Sequence, residues 1–218
     1  MDARALYAQR FDAAERSAKA RLWAVLCADF LQPWVRPEDA VLDLGAGFCE
    51  FINHIACAAK YALDADPQVR EAAAPDVVTR VGSVTDLSWL GDASLDVVFA
   101  SNLFEHLPDS ATLLETLRAI HRVLRPGGRL LILMPNIRFA YREYWDFLDH
   151  HLPLSDRSLV EALTITGFAP KVVRPRFLPY TTKVRLPQWP ILVRLYLRFP
   201  PLHWLLGKQM FVAAERSA

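Results

Sequence analysis

Four short apolar runs limit what this chain can fold into more than any other feature: AVLDL (40–44), YALDA (61–65), LDVVFAS (95–101) and RLLILMP (129–135). None alternates cleanly between apolar and polar, as a strand with one wet face would. Unbroken apolar character suits strands covered on both faces of a parallel sheet. Helical stretches lie between them, clearest at 110–124, SATLLETLRAIHRVL. There Leu113, Leu114, Leu117, Ile120, His121 and Leu124 recur at helical spacing and RPGG ends the pattern. Residues 3–31 contain no Gly or Pro and predict a leading helix. Strand and helix alternating at this rhythm define an α/β doubly wound domain. The 218 residues show no internal repeat and no low-complexity linker, so one domain is expected over 1–218. It divides into a helical cap (1–35), a core (36–182) and a basic, aromatic insert (183–209) before the last strand.

The three cysteines, Cys27, Cys49 and Cys57, have no Cys-x-x-Cys spacing, so neither a disulfide framework nor a metal site is expected. The N-terminal stretch is charged throughout and lacks an apolar signal core, which points to a cytoplasmic protein. Net charge is +1, which argues against general nucleic-acid binding. Its distribution is uneven. From Ala162 to Ala214 there is no Asp or Glu but there are eight bases: Lys171, Arg174, Arg176, Lys183, Arg185, Arg194, Arg198 and Lys208. The remainder holds 25 − 8 = 17 bases against 24 acids. Such asymmetry suggests that the C-terminal part meets an anionic partner.

The first apolar run leads into VLDLGAGFCEF (41–51), an acid followed by two glycines one residue apart and a turn toward a possible helix. A dinucleotide fingerprint is G-x-G-x-x-G, whose third glycine lets the helix pack beside a pyrophosphate. Here that place is Glu50, whose carboxylate would repel the pyrophosphate. Asp43, at the strand's end, favours a cationic ligand over a phosphate. Asp64 ends the next run roughly 20 residues on, the spacing at which a carboxylate takes ribose hydroxyls. A ligand with a ribose, no phosphate at the turn and a positive charge satisfies all three, and S-adenosylmethionine is such a ligand.

VLDLGAGFCEF, YALDADP, LDVVFASNLFEHLPD and VLRPGGRLLILMPN, in that order over roughly 40–136, resemble successive motifs of the class I S-adenosylmethionine-dependent methyltransferases, of the type 11/12 kind. The resemblance implies a Rossmann-like, three-layer αβα sandwich: a seven-stranded, mostly parallel sheet with an antiparallel last strand. It implies that Asp43, Gly45, Ala46 and Gly47 line the methionine end of the cofactor, and that Asp64, followed by Ala65, binds the ribose. Ser83 and Val84, in VGSVTDL (81–87), would meet the adenine, although the family often has an acid where Ser83 stands. Asn102 lies where the family turns toward the methyl group. RFLPYTTKVRLPQ and GKQMFVAAE are similar to a group of bacterial methyltransferases of surface-glycan or lipid-linked sugar pathways, a resemblance that carries no known substrate. The expected acceptor is a small-molecule, sugar-linked or lipid-linked one, methylated at oxygen. Two other classes stay open: a nicotinamide-dependent oxidoreductase on the related fold, and a non-catalytic relative that keeps only the cofactor site.

A hydroxyl acceptor needs a group to take its proton. His106, in NLFEHLPD, lies beside the expected methyl position, where it acts either as that base or as packing for the next helix; Glu105 is a weaker candidate. His150 and His151 follow FAYREYWDFLDHH, in which Tyr141, Tyr144, Trp145 and Leu148 fall on one helical face. That face is either core or lid packing, or an aromatic wall around the acceptor with a histidine at its edge. Tyr7 and Phe11 on the first helix either close over the cofactor or pack. Residues 190–206, PILVRLYLRFPPLHWLL, are interrupted by Arg194, Arg198 and a Pro-Pro pair, so they do not span a membrane. Peripheral contact of 171–208 with an anionic inner membrane face, a cover over the site and an ordinary capping helix all remain open.

Overall fold

A computed structural model describes residues 13–180 and 189–217. Tyr7 and Phe11, and with them Lys183 and Arg185, lie outside the described residues.

Seven strands form one sheet in the order β3-β2-β1-β4-β5-β7-β6: β1 (Ala40–Leu44), β2 (Ala59–Asp64), β3 (Val77–Val81), β4 (Leu95–Ser101), β5 (Leu124–Pro135), β6 (Phe168–Arg174) and β7 (Gln209–Arg216). Strands β1 to β5 pair in parallel, while β7 runs antiparallel between β5 and β6. The expected seven strands and antiparallel last strand are thus present. β4 is buried from Leu95 to Ala100, as an unbroken apolar run requires. β6, at the edge, tolerates Pro170 because the register slips there between Pro170 and Val172.

Helices cover both faces. On one side α3 (Ser110–Val123) and α5 (Asp156–Ile165) close a core that includes Leu117, Ile120, Leu130, Ile132 and Leu163. The Asp109 carboxylate caps α3 by accepting from the Thr112 backbone N–H at 2.8 Å. Ser155 and Ser158 form a capping box on α5. On the other side α1 (Ala13–Leu26) continues as a π-helical turn (Cys27–Leu31) and packs with α6 (Pro190–Arg198) against Phe51, Val97, Phe99 and Phe211. The short helices α2 (Val69–Ala72), α4 (Ile137–Ala140) and α7 (Pro200–Leu206) complete the described set. The result is the expected three-layer αβα sandwich.

Three local readings change. α3 ends at Val123, and Leu124 already pairs with Leu95, so β5 begins before RPGG and a bulge between Leu95 and Val97 absorbs the glycines. A Cβ on Gly128 would sit 2.8 Å from the Arg125 carbonyl, so no side chain fits this tight path. Residues after the glycine turn, 47–54, form successive turns rather than a regular helix. And 141–148 is not one helix: α4 stops at Ala140 and a 3-10 turn covers Tyr144–Asp146. Tyr144 is buried there while Tyr141, Trp145 and Leu148 are exposed, so the single aromatic face read from spacing does not form.

The sheet order fixes where a site can be. From β1 the chain winds outward through β2 and β3, and from β4 it winds the other way through β5. The carboxyl ends of β1 and β4 therefore flank the switch point, where open α/β sheets bind ligands.

Candidate active site

The glycine turn sits at that switch point. Gly45 and Ala46 both donate backbone N–H bonds to the Leu63 carbonyl at 2.8 and 3.0 Å, folding the turn over the end of β2. Gly45 and Gly47 adopt φ of +71° and +51°, and the following Cys49 has φ +58°. A Cβ on Gly47 would meet nothing within 4 Å, so this turn opens onto free space. A Cβ on Gly45 would instead lie 2.7 Å from the Leu103 side chain. Gly45 therefore packs against the loop after β4.

Asp64 ends β2, as its spacing suggested. Its carboxylate accepts from the Gly47 N–H at 2.7 Å and the Asp66 N–H at 2.8 Å, which holds it rigidly beside the glycine turn. Ala65 next to it is exposed. Asp43 is buried, and its only described hydrogen bond is from the Ile52 N–H at 3.3 Å. Burial raises its pKa to about 8, the Ile52 bond partly opposes this, and the nearby Glu50 and Asp64 add to it. Glu50, in the third glycine place, is paired with Lys19 of α1 at 2.9 Å. Without a regular helix after the turn, the row of aligned N–H groups that a pyrophosphate needs is not built. At the far edge Ser83 is exposed and bonds the Thr85 hydroxyl at 2.8 Å, while Val84 is half-buried against the core.

The loop after β4 carries the second half of the site. Asn102 has φ +47° and donates its backbone N–H to the Leu133 carbonyl at 2.8 Å, tying the loop to β5. A 3-10 turn, Phe104–His106, follows. Glu105 is 1% exposed, and its Oε2 has no hydrogen-bond partner among the described residues. Burial, reinforced by Asp149, raises its pKa to about 8. The His106 ring donates from Nδ1 to the Asp149 carbonyl at 2.9 Å, with the Asp149 carboxylate 3.4 Å away. His150 is buried, donates from Nδ1 to the Tyr144 carbonyl at 2.9 Å and lies 5.0 Å from His106 between ring centroids.

Tertiary structure thus unites Glu105, His106 and His150 across 45 residues of sequence. His151 is not part of this group: its side chain is exposed, and it serves through its backbone N–H, which bonds the Glu105 carbonyl at 2.8 Å. Two residues not singled out as site candidates from the sequence surround His150: Phe147 stacks on it at 4.9 Å and the Tyr180 hydroxyl lies 3.4 Å from its Nδ1. The aromatic spacing that signalled Tyr144 gave no reason to choose Phe147, and Tyr180 comes from beyond β6.

Residues 42–132 match the model of a methyltransferase domain family. No curated protein matches the sequence. Among solved structures, the chain resembles one from the complex of the Trm112 methyltransferase activator with a proposed methyltransferase of Haloferax volcanii, at TM-score 0.69 and 19% identity over 95% of each chain. A SAM-dependent methyltransferase from Archaeoglobus fulgidus is similar at TM-score 0.65 and 18% identity, over 90% of this chain and 94% of that one. One from Methanosarcina mazei gives 0.62 and 16%, over 87% and 97%. At these identities the solved structures establish the fold. The sheet order and these structures together give the chain the Rossmann-like fold of its S-adenosylmethionine-dependent methyltransferase neighbours.

Proposed function

We propose that this chain transfers a methyl group from S-adenosylmethionine to an oxygen of a small-molecule, sugar-linked or lipid-linked acceptor. The observation that carries the reading is the pairing of open space over Gly47 with the Asp64 carboxylate fixed 2.7 Å from the Gly47 nitrogen. In this reading Asp43, Gly45, Ala46 and Gly47 line the methionine end of the cofactor. Asp64 and Ala65 take the ribose, Ser83 and Val84 the adenine, and Asn102 stands near the methyl group.

Methyl transfer from a sulfonium is an in-line displacement on an activated carbon. Holding nucleophile, methyl and sulfur in line is worth about 7–11 kcal/mol of the barrier. The loop after β4 packs Leu103 over Gly45 of the glycine turn, which supports assigning the Glu105, His106 and His150 group to the cofactor's reacting end. Proton removal from the acceptor centres on His106 and His150, and such assistance typically adds about 10²–10⁴-fold.

The same reading includes a membrane surface. Among the described residues no helix is long and apolar enough to cross a bilayer. Yet α6 and α7 expose Trp189, Ile191, Leu195, Phe199, Trp204 and Leu205, with Trp204 72% exposed. Arg194 and Arg198 line a groove among them. An anionic bilayer would accept both the apolar side chains and the arginines, placing a lipid-linked acceptor at the enzyme's own surface. Vesicles with and without phosphatidylglycerol test this: Trp204→Ser with Phe199→Ser should lose co-sedimentation with the anionic ones. Equal recovery of wild type in the supernatant of both vesicle types rejects membrane contact. For the cofactor site, calorimetry with S-adenosylhomocysteine is decisive. Asp64→Ala should weaken binding about 10–100-fold, the worth of one or two hydrogen bonds to a charged group, and unchanged affinity rejects the ribose assignment.

A further inference from the structure

Glu105 presents a problem that the fold alone does not answer. It is a carboxyl group almost wholly removed from water, with one oxygen lacking any hydrogen-bond partner among the described residues. An unmet buried acceptor is costly, so its retention calls for an occupant. Two imidazoles stand beside it. One ligand-type atom from each of Glu105, His106 and His150 can be chosen so that all three lie within 4.8 Å of one another.

The rings are also prepared in a specific way. A carbonyl oxygen can only accept, so Nδ1 of His106, facing the Asp149 carbonyl, and Nδ1 of His150, facing the Tyr144 carbonyl, each carry the ring hydrogen. In the neutral ring Nε2 is then the nitrogen with the lone pair. Backbone carbonyls or carboxylates behind Nδ1 are the arrangement that orients metal-bound histidines, and the Asp149 carboxylate at 3.4 Å adds a second such group behind His106. The Glu105 main chain is fixed as well, since its carbonyl accepts from both His151 and Leu152 at 2.8 and 3.1 Å. This clamps the loop carrying two of the three side chains to the segment carrying the third.

We propose that Glu105, His106 and His150 bind a divalent transition-metal cation, of the zinc or manganese class, and that this cation receives the acceptor's oxygen. Two imidazoles and one carboxylate suit such an ion and leave coordination positions open for an incoming ligand. Its positive charge would also meet the orphaned Glu105 oxygen. The role toward the acceptor rests on the methyl-transfer reading above; the binding of the cation does not. In the reaction the bound hydroxyl loses its proton to solvent, the acceptor oxygen bonds the methyl carbon and the carbon–sulfur bond breaks. The sulfonium then becomes the neutral thioether of S-adenosylhomocysteine, and nothing is oxidised or reduced. The cation does the work otherwise asked of a histidine base, by lowering the pKa of the bound hydroxyl.

The test uses the full chain, stripped with a chelator and titrated with Co²⁺ while its visible ligand-field absorption is recorded, with Zn²⁺ and Mn²⁺ titrated by calorimetry. One ion per chain is expected. Glu105→Gln, which keeps the shape of the side chain, and His150→Gln should each weaken binding by more than about tenfold, since even groups behind metal ligands are worth 10–100-fold. Both variants should still bind S-adenosylhomocysteine as wild type does, which also shows that they are folded. Wild type binding none of the three ions, or binding them equally well in both variants, overturns the proposal. Failure of wild type to bind S-adenosylhomocysteine counts against the methyl-transfer reading instead, and the Co²⁺ spectrum is read independently of it.

Discussion

The two ends of the sheet are built on opposite principles. At the amino ends of the strands the buried acids meet cations. The buried Asp39 accepts from Arg129 at 2.6 Å and from the Arg36 N–H at 2.9 Å, with Arg125 3.8 Å from its other oxygen. Asp96 pairs with Arg125 at 2.5 Å and accepts the Ala40 N–H at 2.6 Å, fastening β1 to β4. At the carboxyl ends two buried acids are instead left without a counter-charge. Asp43 and Glu105 are just as buried, yet no Lys or Arg is described against either, and burial pushes both toward the neutral form. Acids paired with a guanidinium fasten an edge, whereas buried acids without such a counter-charge hold interaction energy for a ligand. The contrast supports the proposed site at the carboxyl edge.

The largest effect that could break this contrast is at the amino end. Arg129→Ala leaves the Asp39 carboxylate buried without its closest cation and should cost about 3–5 kcal/mol of stability by chemical denaturation, with cofactor affinity unchanged in whatever remains folded. A loss below about 1 kcal/mol would show that the amino end is not the fastened one. Next comes pH. Asp43 has its folded pKa raised to about 8 from an ordinary 3.8, so the native state holds a proton that the unfolded state has released. That contribution is complete below about pH 4 and is lost as pH rises through about 8, with a slope of up to about 1.4 kcal/mol per unit. Asp43→Asn should flatten the slope by one proton and be more stable than wild type at pH 9; an unchanged slope would refute the raised pKa. Cofactor binding near pH 7 should release a proton, seen as a buffer-dependent enthalpy, if the cation-bearing end of the ligand meets the Asp43 carboxylate.

Smaller effects sharpen the picture of the glycine turn. Gly45→Ala meets only the far end of Leu103 and a backbone at φ +71°, so about 1–2 kcal/mol of stability should go while affinity falls little. Gly47→Val projects into open space, so its loss should be in S-adenosylhomocysteine affinity. Nothing in the sequence sets Leu103 over Gly45; only the fold does. Last, Ser83→Ala should weaken the cofactor only a few-fold, since the hydroxyl already bonds Thr85.

The charge asymmetry of the C-terminal stretch shows the limit of counting residues. Its bases looked free because no acid lies near them in sequence. In the fold Arg194 meets Asp29 at 2.9 Å, Lys171 meets Glu215 at 3.2 Å, and Lys208 pairs with Glu143. Arg176 donates to the Gly207 and Leu205 carbonyls, both at 2.9 Å. Much of the apparent excess is thus spent inside the molecule, and the case for an anionic surface rests more on the exposed apolar side chains of α6 and α7.

By itself the sequence determined the α/β class, the position of four of the strands and the placing of Asp64 at the end of β2. Each is a short-range property: apolar runs, helical spacing and glycine conformation act within a few residues. Only the tertiary structure decided that Glu105 and His106 face His150, that His151 turns outward, that Leu103 seals Gly45 and that 141–148 breaks into two short turns. Those outcomes depend on which segments the sheet order brings together, and burial and ion pairing across dozens of residues leave no periodic trace in the chain.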